Sequence, residues 1–323
     1  MNSGAPSATP HKSPKNNLRC SRWLAPALLL CLPLCFTSAG QTPGVAITFD
    51  DLPAHGELPA GVSRSDVARN IIRALQARGV PGVYGFVNGG RQEGDPDRHD
   101  VLRLWRDAGF PLGSHTYSHL DLTKNTAAAF ARDIRANEAT LRELMGGGDW
   151  RRLRYPFLHE GDTLDKRRAV RAYLAVHGYR VAQVTLDFED YAWNNPYARC
   201  VARHDERSVA WLKASFLRAA AESIALGQRM AVQLYGRDIK HVLLLHMGAF
   251  DSVMLPDLLQ LLEKQGFHFI SLEDAESDPA YQTDPDAALP HGGTLLEQFF
   301  DSRRLQYPPF ETKPLERLGS ICR

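Results

Sequence analysis

The feature that most constrains the fold is an alternation of short apolar runs with longer stretches of helical periodicity. Residues 45–49 predict a buried strand, and Val67, Ile71 and Leu75 then share one face of a helix over residues 65–78. This alternation recurs about seven times. Repeated strand–helix–strand units require right-handed crossovers and a mainly parallel sheet covered by helices. An α/β fold is therefore predicted, either a closed barrel or an open doubly wound sheet.

The individual elements follow from the same periodicities. Strands are predicted at 45–49, 83–87, just before His115, around 153–155, and at 181–186, 241–245 and 268–270. Helices are predicted at 65–78, 101–107, 126–145, 164–177, 209–226 and 256–265. From Glu276 onward the periodicity fades, apart from a short apolar stretch at 295–300. We therefore expect a main domain over 40–275 and a C-terminal extension, 276–323, that packs on it.

The first 39 residues have the composition of an export signal. Four basic residues precede an apolar run over 23–36, and the small residues Thr37, Ser38 and Ala39 follow it. The run is interrupted by proline and is short for a membrane span. We predict a cleaved signal peptide at 1–39, with an uncleaved anchor as the alternative. The mature protein is expected to be periplasmic or secreted, without stable membrane insertion.

Cysteine usage is consistent with export. Of the five cysteines, only Cys200 and Cys322 lie beyond residue 39. An oxidising compartment would permit a bridge between them, and we expect that disulfide. Two unpaired thiols remain the alternative, because the sequence gives no distance between the two positions.

Charge and motif content exclude several classes of function. The chain carries 38 Lys+Arg and 37 Asp+Glu, a formal charge of +1, which argues against a nucleic-acid binder held by bulk charge. Neither a Gly-x-Gly-x-x-Gly turn after the first strand nor a Walker-type lysine is present. A nucleotide site is therefore disfavoured. The carboxyl ends of the strands are the place to look for chemistry, because α/β folds place their sites there.

Carboxylates and histidines follow the first and third predicted strands. Asp50 and Asp51 end the first strand, where two adjacent side chains can share a face only if the chain turns. His115 and His119 follow the third strand, and on a helical turn this spacing would place both on one face. One Asp with two His suits catalytic zinc, and it also suits non-haem iron. Zinc is favoured by the spare carboxylate, which could accept a proton during hydrolysis.

Three later strand ends add charged or titratable groups at the same predicted rim. Arg154 lies at the end of the fourth strand and could keep the spare carboxylate ionised. Asp190 lies after the fifth strand, and His246 ends an almost wholly apolar sixth strand. All three are expected to face the mouth that contains the aspartates and histidines.

Five ordered segments resemble the motifs of a known family. They are Thr48–Asp51, His115–His119, Arg154–Phe157, Asp187–Tyr191 and Leu243–His246. In this order they resemble the five motifs of the polysaccharide deacetylases, the NodB-homology domain of carbohydrate esterase family 4. The resemblance spans about residues 44–272 and implies a distorted (β/α)7 barrel. It also implies one divalent metal ion, zinc foremost, with Co²⁺, Ni²⁺ or Mn²⁺ as alternatives.

The resemblance also implies a role for each matching residue. The implied metal ligands are Asp51, His115 and His119. Asp50 would be the general base held ionised by Arg154, and His246 the general acid with its pKa tuned by Asp190. The implied substrate contacts are the backbone N–H of Phe157 at the oxyanion, and Leu243 and Tyr191 around the acetyl group.

Two departures from the family pattern bear on the substrate. Leu52-Pro53 replaces the usual Gly-Pro, and Tyr191 replaces the usual Trp. We expect a metal-dependent hydrolase that removes acetyl groups from N-acetylated glycans such as peptidoglycan or chitin-like oligomers, with O-acetylated glycans as a second candidate. The alternatives are a small-molecule amidase on the same fold and a non-catalytic glycan-binding protein. An iron oxygenase is disfavoured, because it would leave Asp50 and His246 without a role.

Overall fold

The computed structural model describes residues 43–92 and 96–323. The predicted signal peptide at 1–39 lies outside the described residues and stays a prediction. These described residues form one compact unit. Within the described ranges, no helix combines the length and apolarity needed to cross a membrane.

A parallel sheet of seven strands forms the centre of the described chain. The strands are β1 (Gly44–Leu52), β2 (Tyr84–Val87), β3 (Leu112–Ser114), β4 (Arg152–Leu153), β5 (Arg180–Val181), β6 (His241–His246) and β7 (His268–Phe269). Their order is β5-β4-β3-β2-β1-β6, and β7 pairs with the start of β1. A parallel bridge between Leu186 and Leu243 joins the segment after β5 to β6, so the sheet curls round on itself. The predicted distorted α/β barrel is confirmed.

Ten α-helices surround this sheet in the described chain. They are α1 (Arg64–Ala77), α2 (Pro96–Asp107), α3 (Ala127–Met145), α4 (Leu164–Val176), α5 (Asn194–Ala202), α6 (Glu206–Tyr235), α7 (Ala249–Lys264), α8 (Leu272–Glu276), α9 (Leu295–Arg303) and α10 (Leu315–Ser320). All six predicted helices are present. The prediction started α7 too late, at Pro256, because proline favours a first turn. In fact Pro256 lies on the exposed face, and the buried neighbours Met254, Leu255 and Leu258 hold the helix together through it.

The two faces of the strands have different surroundings. On β1, Val45, Ile47 and Phe49 point outward into the core shared with the helices. Ala46 points inward and joins a separate apolar cluster with Tyr84, Phe86 and Val242, which fills the lower part of the barrel. Continuing the alternation places Thr48 and Asp50 on the inner face above this cluster. Because side chains alternate along the strand, these two polar residues lie at the mouth formed by the carboxyl ends of the strands.

The C-terminal extension packs on the barrel. The backbone N–H of Leu295 donates to the carbonyl of Val184 at 2.7 Å, and Leu296 and Phe300 are buried against α6. Cys200 and Cys322 form a disulfide with their Cα atoms 5.2 Å apart, as predicted. The predicted boundary at 276 falls at the last residue of α8 and stays a prediction.

Candidate active site

Two consecutive aspartates share one face because β1 loses its regular pleat at its end. The register with β2 shifts between Phe49 and Leu52, and Asp51 adopts a left-handed backbone conformation with φ of 64°. A cis peptide bond precedes Pro53. The predicted turn after the first strand is thus present, and it directs Asp50 and Asp51 to the same mouth.

The two histidines reach the site from an irregular loop. Residues 115–119 do not form a helical turn: Thr116 and His119 both have positive φ, 61° and 59°. The side-chain amide of Asn88 holds this loop by donating to the carbonyls of His115 (2.5 Å) and Thr116 (3.1 Å). The two imidazole centroids lie 4.8 Å apart. The sequence spacing found the correct pair, although the local geometry is that of a loop.

Asp51, His115 and His119 together fit a divalent metal ion. One ligand atom from each lies within 4.8 Å of the others. His115 Nδ1 is 2.8 Å from the carbonyl of Arg154, which can only accept, so Nδ1 carries the proton and Nε2 presents its lone pair to the site. Oδ1 of Asp51 is buried and, among the described residues, accepts no hydrogen bond. One carboxylate with two imidazoles is a donor set compatible with a divalent metal ion.

The protonation states of these three residues suit ligands. Burial alone would raise the pKa of Asp51, but the hydrogen bond from His55 and the nearby Arg91 guanidinium hold it well below its usual value. Arg91 Nη1 lies 3.0 Å from Oδ1 as an ion pair without hydrogen-bond geometry. Burial lowers the pKa of His115 well below its usual value and that of His119 to about 4. At neutral pH the site therefore offers one carboxylate and two neutral imidazoles.

Asp50 lies beside this donor set and is paired with Arg154. Arg154 Nη1 donates to Asp50 Oδ1 at 3.1 Å, while Nη2 donates to Thr48 Oγ1 at 3.1 Å and Nε to the carbonyl of Ala182 at 2.8 Å. Burial raises the pKa of Asp50 to about 7, and Arg154 offsets only part of that rise. Arg154 thus acts in the expected direction, but burial outweighs it in the protein alone.

His246 and Asp190 form a dyad at the same mouth, where His246 on β6 is the register partner of Asp50 on β1. Asp190 accepts from His246 Nδ1 at 2.8 Å and from its backbone N–H at 2.6 Å. Burial alone would lower the pKa of His246, but the charge of Asp190 outweighs it and raises that pKa to about 10. Asp251 lies behind Asp190, and burial and Asp190 raise the pKa of Asp251 well above its usual value. His246 is therefore a cation at neutral pH, held by an ionised Asp190.

The substrate-contacting residues need one correction. Leu243 is not at the site: it points outward into the core with Leu245, while Leu244 lines the cavity. The reason is the strand period of two, which puts Leu244 on the same face as His246. Phe157 and Tyr191 do lie at the mouth, 54% and 43% exposed. The Phe157 ring is 4.5 Å from His119, and the Tyr191 ring is 5.2 Å from His246.

Most of these groups line one cavity of about 560 Å³, whereas Arg154 and Asp190 are buried and do not line it. Its floor contains both aspartates, both loop histidines and His246. One wall comes from the loop after β4, which includes Phe157, and another from the loop after β5, which includes Tyr191. A third wall comes from the C-terminal extension: His291, Gly292, Gly293, Glu297, Asp301, Tyr307 and Lys313.

Sequence reasoning missed several of these residues. His55 lies in the cavity with Nδ1 2.8 Å from Asp51 Oδ2, and its position four residues after Asp51 was a signal that could have found it. Asp251 lies in the first turn of α7, where a carboxylate is ordinary, so no sequence signal marked it. The extension residues follow no motif and are brought to the cleft by tertiary packing alone.

Two comparisons with known proteins point to the same family of deacetylases. Residues 38–182 match the family model described as polysaccharide deacetylase. A chitin deacetylase from Arthroderma benhamiae is 27% identical over 152 residues, which are 47% of this chain and 36% of that protein. The chain thus spans about a third of this relative's length. The resemblance to the polysaccharide deacetylases that was predicted from the sequence is confirmed.

A solved structure supports the barrel fold. The chitin deacetylase of Colletotrichum lindemuthianum is 21% identical, with a TM-score of 0.50 over 74% of this chain and 89% of its own. A family 4 carbohydrate esterase from Streptomyces lividans is also 21% identical, covering 72% of this chain and 95% of its own with a TM-score of 0.45. At this identity the first of these supports the fold alone. The family model ends at 182, so the positions of Asp190 and His246 rest on the geometry described above.

Proposed function

We propose that this protein is a metal-dependent hydrolase that removes acetyl groups from N-acetylated glycans. The observation that carries the proposal is the arrangement around Asp51, His115 and His119. A carboxyl held by Arg154 and an imidazolium held by Asp190 line the same cavity as these three residues. A base, a metal set and an acid in one cavity are what amide hydrolysis requires.

Zn²⁺ is the proposed metal, with Co²⁺, Ni²⁺ and Mn²⁺ as alternatives. When bound by Asp51, His115 and His119, a divalent ion would supply a Lewis acid for the acetyl carbonyl and make a water molecule more acidic. The neutral imidazoles and the buried carboxylate would leave coordination positions for substrate and water, as three-ligand catalytic sites do.

Asp50 is the proposed general base. Its Oδ2 lies 3.7 Å from His115 Nε2, so it is beside the donor set without being one of the three ligands. Arg154 fixes the other oxygen and supplies positive charge that favours the ionised form. The carboxylate can then accept the proton of the attacking water.

His246 is the proposed general acid. With a pKa raised to about 10 by Asp190, it keeps its proton at neutral pH. Asp190 occupies Nδ1, so the proton available to the substrate is the one on Nε2. Donating it to the departing nitrogen avoids release of an amide anion, which is a very poor leaving group.

The acetyl group is proposed to bind between Leu244 and Tyr191. Both line the cavity, and the Tyr191 ring contacts that of His246. By the family resemblance, the backbone N–H of Phe157 is the proposed hydrogen-bond donor to the oxyanion. Phe157 has φ of 59°, which turns this loop back toward the metal set.

Export to a periplasmic or extracellular location is also proposed. It is supported by the composition of residues 1–39 and by the Cys200–Cys322 disulfide, since structural disulfides persist in oxidising compartments. An acetylated cell-surface glycan would be accessible there.

Acetate release tests the proposed function. The zinc-loaded protein is incubated with N-acetylglucosamine oligomers, peptidoglycan and acetylated xylan, with a chelator and the variant Asp50→Asn as controls. We expect acetate from at least one glycan, lost in both controls. Absence of acetate from every glycan, with the metal bound and the fold intact, would reject a glycan deacetylase.

A further inference from the structure

The C-terminal segment, residues 289–314, is the part of the cleft that neither the family model nor the five motifs include. It supplies seven of the residues that line the cavity of about 560 Å³. They come from the turn before α9, from α9 itself and from the chain that follows it. The segment therefore forms one wall of the cleft, and its contacts with the neighbouring loops decide whether a glycan chain can pass beneath it.

At one side the segment lies directly against the loop after β4. A Cβ atom built on Gly292 would be 2.7 Å from the carbonyl oxygen of Leu158 and 2.6 Å from His159 Cδ2. Gly292 also has φ of 66°, so a glycine is needed here for both reasons. The N–H of Leu289 donates to the carbonyl of Gly161 at 3.2 Å. No side chain would fit between the two backbones at Gly292.

At the other side the segment contacts the loop after β5. Lys313 Nζ lies 3.0 Å from Glu189 Oε1, and both side chains are about a third exposed. Such an ion pair contributes little to stability, but it marks the point where the segment contacts the loop after β5. The segment thus spans from the loop after β4 to the loop after β5 and closes that end of the cleft.

The segment is held at several points between these contacts. Leu295 N–H donates to Val184 at 2.7 Å, Phe300 is fully buried, and Arg229 donates to the carbonyl of Pro309 at 2.9 Å. The Cys200–Cys322 disulfide ties down the chain just beyond. These anchors make the segment a fixed wall.

A second, smaller cavity of about 200 Å³ lies behind this wall, against α6. Four residues line both cavities and separate them: Asp187, Glu297, Tyr307 and Lys313. The Tyr307 ring packs on Phe300 with centroids 5.2 Å apart, and its hydroxyl donates to Asp301 Oδ1 at 2.8 Å. Tyr307 is therefore a supported part of the partition.

The opposite end of the cleft continues past the metal set. A further space of about 530 Å³ shares Asp51, His55, His119 and Phe157 with the cleft and extends along Gly56 and Arg91. Among the described residues, the cleft thus has a continuation on the His55 side and a wall on the Tyr307 side.

We propose that the C-terminal segment makes this protein a chain-end deacetylase, acting at a fixed distance from one terminus of an acetylated oligosaccharide. The terminal sugar ring abuts Tyr307 and Lys313, its hydroxyls contact polar groups such as Asp301 and His291, and the rest of the chain leaves past His55. A polymer could not pass beneath the segment at this end of the cleft, because the segment contacts the loop after β4 on one side and the loop after β5 on the other. The inference rests on the proposed function and adds the position of attack.

The test is the position of the first acetyl group lost. N-acetylglucosamine oligomers from trimer to hexamer are treated with the zinc-loaded protein, and the products are labelled with ¹⁸O at the reducing end and sequenced by tandem mass spectrometry. We expect one initial product from each oligomer, deacetylated at the same distance from the same terminus whatever the chain length. Initial loss spread over internal positions would overturn the inference while leaving the proposed function intact. Absence of acetate release would instead count against the function itself.

A substitution in the wall makes the test independent of the wild-type pattern. Tyr307→Ala would join the two cavities, so the chain end can move further in, and the initial site should shift by one residue away from the terminus. Tyr307→Phe keeps the ring and should retain the wild-type position. Phe310→Ala, which lines only the smaller cavity, should also retain it. Lys313→Ser offers a second opening if Tyr307→Ala does not fold, and an unchanged position in a folded opening variant would contradict the proposal.

Discussion

His55 Nδ1 lies 2.8 Å from Oδ2 of Asp51, so the carboxylate that offers Oδ1 to a metal is fixed through its other oxygen. The His55 ring also lies 5.0 Å from that of His246. One side chain thus bridges the metal set and the proposed acid. A ligand oriented in this way loses less freedom when it coordinates a metal.

His55→Ala should weaken zinc binding by about 10–100-fold, the usual effect of removing a group that orients a ligand. The dissociation constant is measured by competition with a chromophoric chelator, so the readout does not depend on turnover. His177→Ala, an exposed histidine on the surface, is the matched control and should bind zinc as the wild type does. Equal affinities in the two variants would show that His55 does not orient Asp51.

Zinc should stabilise the folded protein through Asp51, His115 and His119. A ligand that binds only the folded state at 100 times its Kd adds about 2.7 kcal/mol to the free energy of unfolding. We therefore expect added Zn²⁺ to raise the Tm of the metal-free protein and a chelator to reverse the rise. In His119→Ala the zinc-dependent rise should be lost or strongly reduced. A full rise in that variant would place the metal elsewhere.

The dyad of His246 and Asp190 predicts a shift in the pH profile. A general acid must be protonated, so kcat/KM falls as pH rises through the pKa of His246, which Asp190 raises to about 10. Asp190→Asn removes the charge that raises this pKa, so the alkaline loss of activity should begin at lower pH. Asp238→Asn is the matched control, because Asp238 contacts His241 at 2.9 Å at the other end of β6. An unmoved alkaline limb in Asp190→Asn would exclude His246 as the acid.

The sequence predicted the barrel and most of the site because both follow local rules. Strands of period two separated by helices of period 3.6 define the α/β class, and the carboxyl ends of parallel strands then meet at one rim. Asp50, Asp51, Arg154 and His246 are each at or directly after such a strand end, so their convergence required no knowledge of loop geometry.

Prediction failed where position depends on faces or on distant packing. Leu243 was assigned to the cleft by the family resemblance, whereas the strand period of two puts Leu244 on the same face as His246. The His115–His119 loop depends on positive φ at two residues and on Asn88, which is far away in sequence. The C-terminal segment reaches the cleft through contacts with Val184, Leu158 and Glu189 that no local pattern encodes.

The disulfide should contribute strongly to stability because it closes a long loop. Cys200 and Cys322 are 122 residues apart, for which the chain-entropy model gives roughly 4–5 kcal/mol, an upper figure when the reduced chain retains structure. Cys200 is also fully buried, so Cys200→Ser would add the cost of a hydroxyl in the core. Cys322→Ala with Cys200→Ala is therefore the cleaner pair. We expect this double variant to unfold at lower denaturant concentration and to be insensitive to reductant, whereas reductant should shift the wild type in the same direction. If reductant shifted the double variant as far as the wild type, the loss could not be assigned to this bridge.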